Sequence, residues 1–110
     1  MAGDLTWFEM GVPDVDGAQG FYGALLGWTF ESMGAGGAVI RTTQGRAGLH
    51  GGDEARNIVT YFGVDDIEAA ARRVRELGGQ ADDPVPAEEG FGRFISCRDD
   101  QGVAFGLHQP

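Results

Sequence analysis

Four side chains on predicted strands carry groups that could do chemistry: Glu9, His50, Tyr61 and His108. A carboxylate with two imidazoles has the composition of a metal site built from two histidines and one carboxylate. A carboxylate that faces an apolar surface can instead act as a general base or bind a cationic group. These residue types therefore allow a metal site, a proton-transfer site or a ligand-binding site.

Each of these residues also has a purely structural interpretation. A histidine on an inner strand is more often hydrogen-bonded in a core or a pocket wall, and Tyr61 could fill a core with its hydroxyl satisfied. Glu9 could form a salt bridge with Arg41 or Arg93. The single cysteine, Cys97, has no basic helix end beside it to activate it, so we expect a buried structural thiol.

The element that should position these side chains is encoded in residues 14–28, DVDGAQGFYGALLGW. Its apolar spacing predicts an amphipathic helix over 15–26, with Asp14 or Asp16 accepting from the free amides of the first turn and Gly27 as the stop. The pattern recurs fifty-two positions later, where Asp66 begins a second helix and the pair Gly78-Gly79 stops it, with Gly79 at the place of Gly27. The apolar face Val15, Ala18, Tyr22 and Leu25 corresponds to Ile67, Ala70, Val74 and Leu77. The chain is therefore predicted to hold two copies of one module.

Each copy is predicted to run strand, helix, strand, strand, strand. The expected strands are 5–12, 28–33, 38–43, 46–50, 58–64, 80–81, 94–98 and 103–108, with helices at 15–26 and 67–77. Residues 34–37 read as a hairpin tip, and residues 51–54 as a short linker between modules 1–52 and 57–110. Neither copy could cover its own sheet, so we expect an α+β fold in which two βαβββ modules form an open, curved mixed-sheet barrel with the helices outside.

Side-chain type also predicts which positions face inward. On the first strand, Trp7 and Glu9 fall on one face and Phe8 and Met10 on the other. The large aromatic residues are expected to be mainly core, and they are Trp7, Phe21, Trp28 and Phe30. The arginines of the second helix are expected on a solvated outer surface, and they are Arg72, Arg73 and Arg75.

Charge and hydropathy exclude several classes of partner. Seventeen acidic residues against eight basic ones give a formal net charge of −9, which would repel nucleic acid and anionic membranes. No apolar run is long enough to span a bilayer, and no signal peptide is evident. One cysteine cannot form an internal disulfide, so nothing indicates an oxidising compartment. These features predict a cytoplasmic protein.

The order of elements, together with FYGALLGW, VDDIEAAARRVRELGG and RDDQGVAFGLHQ, resembles the vicinal oxygen chelate superfamily. That group includes glyoxalase I, extradiol dioxygenases and binding proteins of the bleomycin-resistance type. The resemblance covers nearly the whole chain and is weakest over residues 82–92. It implies a single glyoxalase-like domain over 1–110 and suggests a homodimer, since each copy's sheet leaves edges and apolar surface to cover.

In metal-dependent members of that superfamily, His, Glu or Gln ligands lie on the first and fourth strands of each module. The resemblance places Trp7, Gly48, Val59 and Gly106 at those four positions. None of these residues offers a donor for Zn²⁺, Ni²⁺, Fe²⁺ or Mn²⁺. A shift of one residue would turn each strand inside out. We therefore expect neither the metal centre of the superfamily nor another cofactor.

Two residues beyond those four positions, on the same strand faces, lie Glu9, His50, Tyr61 and His108. We predict a metal-free small-molecule-binding protein with Trp7 as an aromatic wall, Glu9 as the charge and the other three as polar contacts. The excess of carboxylates favours an aromatic ligand that is neutral or cationic. The alternative is a lyase, isomerase or dioxygenase using Glu9 with His50 or His108, with or without a displaced metal. Glu9 is then the candidate catalytic residue.

Overall fold

The computed structural model of the protein describes residues 2–34, 36–52, 54 and 56–110. Positions 1, 35, 53 and 55 lie outside them, so the predicted hairpin tip and linker are described only in part. The elements are β1 (Leu5–Gly11), α1 (Val15–Leu26), β2 (Thr29–Gly34), β3 (Gly37–Thr42), β4 (Gly45–His50), β5 (Asn57–Gly63), α2 (Ile67–Glu76), β6 (Gln80–Ala81), β7 (Arg93–Arg98) and β8 (Ala104–Gln109). The α+β class and the two βαβββ successions are confirmed.

The chain divides into two compact units, one of residues 7–58 and the other of residues up to Thr6 together with Val59–Pro110. The first two residues of β1 therefore belong with the second copy of the repeat. The module bounds 1–52 and 57–110 stay a prediction.

In the unit of residues 7–58, the strands lie in the order β2-β3-β4-β1. β1 and β4 are parallel, and the other neighbours are antiparallel. The buried core consists of Met10, Ala38, Ile40, Ala47 and Leu49. Phe8 and the helix residues Val15, Ala18 and Tyr22 pack against this core. One face of the sheet thus packs against α1, and the alternation predicted for β1 places Trp7 and Glu9 on the opposite face.

The second unit repeats this plan with the order β5-β8-β7-β6, in which β5 and β8 are parallel. Its core consists of Ile67, Ala71, Ile95, Cys97 and Leu107. Because Leu107 points to α2, its neighbours Gly106 and His108 lie on the other face of β8. Tyr61 pairs with Gly106 in the register and shares that face.

Both helices begin as predicted. The Asp14 carboxylate accepts from the amide of Asp16, and that of Asp66 accepts from the amide of Ala69. Gly27 ends α1 in the left-handed conformation at φ 72°. After α2 the left-handed residue is Gly78, at φ 93°, and not Gly79. The second stop therefore comes one residue earlier than the repeat predicts.

Three side chains of α1 and α2 depart from their predicted burial. Phe21, expected in the core, is 62% exposed, and Leu25 and Leu77 at the helix ends are 64% and 60% exposed. Trp28 and Phe30 pack against the core as predicted. The arginines of α2 are exposed as predicted. No helix within the described part of the chain is both long and apolar enough to cross a membrane.

Cys97 is a free, buried thiol, as predicted. Burial raises the pKa of this thiol from 9.0 to about 11, the charge of Asp82 adds to the rise, and Arg75 opposes it. The thiol therefore stays protonated and unreactive at neutral pH.

We expect this thiol to make stability depend on pH above 9. In the unfolded chain Cys97 ionises near 9.0, whereas in the folded chain it ionises at about 11. The stability that the protonated thiol contributes is complete below pH 9.0 and is lost as the pH rises through about 11. The gap in melting temperature between the wild type and Cys97→Ala should therefore narrow from pH 8 to 11. A difference in melting temperature that stayed constant over this pH range would contradict a raised pKa for Cys97. The sequence has no lysine, so few other groups titrate in this range.

Candidate functional site

On β1, Glu9 is held by two neighbours on its own sheet. The indole Nε1 of Trp7 donates a hydrogen bond to Glu9 Oε2 at 2.6 Å. The Nδ1 of His50 lies 3.5 Å from Glu9 Oε1, and the pair becomes ionic when the imidazole is protonated. The side chains of His50 and Glu9 are 44% and 31% exposed, while Trp7 is buried. The result is a carboxylate of fixed orientation that a small molecule can reach.

The predicted salt bridge from Glu9 to Arg41 or Arg93 is wrong. Arg41 pairs with Glu31 on the neighbouring strand at 2.6 Å. Arg93 pairs with Glu68 on α2 at 3.1 Å. Each arginine pairs with another acidic residue, and Glu9 contacts an indole and an imidazole instead.

Gly48 lies directly beside Glu9, because the two residues pair in the parallel register of β1 and β4. A Cβ atom at position 48 would overlap the Glu9 carboxylate. The glycine therefore leaves room for the Glu9 side chain to lie across β4. The carboxylate occupies the volume in which a side chain of the fourth strand would start.

The second unit has the same arrangement with a different side chain. Tyr61 pairs with Gly106 in the parallel register of β5 and β8, and a Cβ atom at position 106 would overlap the Tyr61 ring. The ring of Tyr61 also meets that of Phe94 edge to face, with centroids 5.5 Å apart. At 9% exposure, Tyr61 mainly fills space.

His108 is the most enclosed of the predicted site residues, at 5% exposure. Its Nε2 lies 2.8 Å from the carbonyl oxygen of Phe91, which can only accept, so Nε2 carries a proton. Its Nδ1 lies 2.8 Å from Oγ1 of Thr6, whose hydroxyl donates to this nitrogen when the ring is neutral. The imidazole stacks on Phe94 with centroids 4.2 Å apart and planes at 2°. Both ring nitrogens are therefore engaged within the unit.

Sequence reasoning missed three partners of His108: Thr6, Phe91 and Phe94. Phe94 could have been found, because the antiparallel register of β7 and β8 places it opposite His108. No local signal marks Phe91, which lies in the loop before β7, or Thr6, which is 102 residues away in sequence. The structure thus groups Trp7, Glu9 and His50 in one unit, and Tyr61, Phe94 and His108 in the other.

The residues present do not fit the metal that the superfamily implies. Trp7, Gly48, Val59 and Gly106 supply no donor atom, and side chains of β1 and β5 fill the space above both glycines. Among residues 2–34, 36–52, 54 and 56–110, no group of three or more His, Cys, Asp and Glu is arranged to hold a metal ion. What the first unit does present is a Glu9–His50 pair, able to bind a cation or exchange a proton.

Comparison with protein families matches residues 4–43 to the family described as bleomycin resistance protein-like N-terminal. A putative glyoxylase of Mycobacterium bovis, CFP32, is 33% identical over 98% of this chain and 44% of its own length. The anthracycline biosynthesis protein DnrV of Streptomyces peucetius is 28% identical over 96% of this chain and 46% of its own length. The chain thus spans about half the length of the curated relatives it matches.

Solved structures with the same fold cover the whole chain. A hypothetical protein from Bacillus halodurans has a TM-score of 0.75 and 17% identity, covering 100% of this chain and 96% of its own. Methylmalonyl-CoA epimerase of Streptomyces coelicolor, in complex with 2-nitronate-propionyl-CoA, has a TM-score of 0.71 and 18% identity, covering 99% and 98%. At these identities the likeness concerns the fold.

Proposed function

Because the chain belongs to the vicinal oxygen chelate superfamily, we propose that it is a metal-free small-molecule-binding protein of the glyoxalase and bleomycin-resistance type. The observation that carries this proposal is the position of Glu9. Its carboxylate lies over Gly48, at a place where metal-dependent relatives are expected to carry a ligand side chain. A fixed carboxylate there favours direct contact with a ligand over contact through a metal.

The ligand class follows from the groups around that carboxylate. Oε2 of Glu9 already accepts the Trp7 hydrogen bond, so a ligand would meet the Oε1 side, next to His50. A cationic group on the ligand would gain from the Glu9 charge and from the net charge of −9. We therefore propose a flat aromatic ligand that is cationic or neutral.

Of the five predicted ligand-binding residues, Trp7, Glu9 and His50 lie in one unit and have separate roles in this proposal. Glu9 and His50 make the polar contacts, and Trp7 orients Glu9 through its indole N–H. These roles follow from the exposed fraction of each side chain, because a residue that contacts the ligand must be reachable from solvent. The ligand-binding roles expected for Tyr61 and His108, which belong to the other unit, stay predictions.

The test uses three fluorescent probes with one ring system: 9-(aminomethyl)anthracene, 9-anthracenemethanol and 9-anthracenecarboxylate. Binding to chelator-treated protein is followed by fluorescence. We expect the cationic probe to bind tightest and the anionic one weakest. Glu9→Gln should weaken the cationic probe by roughly ten- to a hundredfold, since a charged hydrogen bond is worth about 1.5–3 kcal/mol, and leave the neutral probe within about twofold.

Trp7→Phe is the matched variant, since it keeps an aromatic ring and removes the N–H that orients Glu9. It should weaken the cationic probe by less than Glu9→Gln does. Each variant must keep a cooperative melt. If Glu9→Gln lowered the affinity for all three probes equally, or left the affinity for the cationic probe unchanged, Glu9 would not be the ligand-binding carboxylate. Binding that requires added Zn²⁺ or Ni²⁺ would contradict the metal-free proposal.

A second candidate function is proton transfer by a lyase or isomerase, favoured by the 3.5 Å contact between His50 Nδ1 and Glu9 Oε1. In that arrangement the carboxylate orients the imidazole, and the pair can take a proton from a bound carbon acid. Solvent deuterium exchange into a bound carbon acid, lost in His50→Gln, would favour this function over simple binding. For either function we propose that the protein acts as a homodimer.

A further inference from the structure

Helix α1 carries an exposed surface without charge. This surface, which we call the outer face of α1, consists of Gly17, Gly20, Phe21, Ala24 and Leu25, all exposed. Phe21 and Leu25 are 62% and 64% exposed, and none of the twelve residues of α1 is fully buried. Two large apolar side chains one turn apart on an exposed helix form a patch of the kind that marks an interaction surface.

The repeat supplies an internal comparison for this patch. A shift of fifty-two positions takes Gly20, Phe21 and Ala24 to Arg72, Arg73 and Glu76 on the exposed side of α2. Leu25 corresponds to Leu77, which is also exposed, so the second module keeps one apolar side chain at this place and carries charge at three of the other positions. The fold therefore does not require an apolar surface at this place. We infer that the outer face of α1 is apolar because it contacts something outside its own unit.

The distribution of charge indicates what covers it. No charged residue occurs between Asp16 and Glu31, the longest uncharged run in a chain of net charge −9. Two copies of so acidic a chain repel each other over most approaches. The outer face of α1 carries no charged side chain, so contact through it brings no like charges of that face together. The same contact removes Phe21 and Leu25 from water, which is favourable.

We propose that the outer face of α1 binds the same face of a second copy of this chain. In an antiparallel, twofold arrangement each face meets itself, as isologous dimers require. Gly17, Gly20 and Ala24 have little or no side chain, so the two helix backbones can approach while Phe21 and Leu25 pack beside them. This inference rests on the proposed homodimer and is independent of ligand binding at Glu9.

The experiment gives α1 the residues that α2 carries, in the variant Phe21→Arg/Ala24→Glu. Mass is measured by light scattering during gel filtration, at about 20 and 200 µM. We expect the wild type at twice the chain mass of 11.6 kDa, and the variant at the chain mass with unchanged circular dichroism. The matched control is Arg73→Ala on the exposed side of α2, which should stay dimeric.

Three outcomes would overturn the inference. A wild type that is monomeric at 200 µM would overturn both the surface and the homodimer. A variant that remains dimeric would overturn the surface and place the dimer contact elsewhere. A monomeric wild type that floats with phosphatidylcholine vesicles would show that the outer face of α1 binds lipid. Binding of the anthracene probes, measured on the same samples, reports separately on the proposed ligand site.

Discussion

Replacement of His108 by alanine should lower the free energy of unfolding by about 3 kcal/mol, whereas the same change at His50 should lower it by less than about 1 kcal/mol. His108 is the hydrogen-bond partner of both Thr6 Oγ1 and the Phe91 carbonyl, at 2.8 Å each. Its loss removes those bonds and the stacking on Phe94. His50 is 44% exposed, and its contact with Glu9 resembles a surface ion pair.

The free energy of unfolding of the wild type and of the two alanine variants is measured by urea unfolding at pH 7. The pair is matched, because His50 and His108 follow the same Gly-Leu dipeptide on the last strand of each module. Binding of the cationic probe gives the second readout, and there the order should reverse, with His50→Ala losing more affinity per folded molecule. Equal losses of stability at the two positions would refute the distinction between His50 as a ligand contact and His108 as a positioning residue.

Alanine at position 106 should destabilise the protein by roughly 2–3 kcal/mol, because its Cβ would overlap the ring of Tyr61. Tyr61 is 9% exposed and packs against Phe94, so the ring has little room to move away. Gly48→Ala should cost less than about 1 kcal/mol, since the overlapping group is the end of the flexible, partly exposed Glu9 side chain. Alanine suits a strand better than glycine, so any loss is steric.

A double-mutant cycle isolates this contact. Tyr61→Ala creates the space that the new methyl group needs, so Tyr61→Ala/Gly106→Ala should lose clearly less stability than the sum of the two single changes. Gly48→Ala should disturb ligand binding more than stability, because it displaces the Glu9 carboxylate from the Trp7 indole. Additive losses in the cycle would mean that Tyr61 does not cover Gly106.

Local sequence determined the elements and the faces of this protein. The alternation around Met10 placed Glu9 opposite the helix-packed face, and the aspartates Asp14 and Asp66 began both helices. These features depend on spacing along the chain and on the chemistry of single residues, which are both readable from the sequence.

Tertiary structure alone decided the partners of the site residues. Glu9 could have paired with an arginine, but the register of β1 against β4 laid it over Gly48, beside His50. His50 and His108 look alike in sequence, yet only His108 is enclosed, because Thr6 and the Phe91 carbonyl meet it from distant parts of the chain. Phe21 fits a core by residue type, but it is 62% exposed, while its neighbour Tyr22 packs against the core. Contacts between residues far apart in sequence depend on strand register and side-chain volume, and local periodicity carries neither.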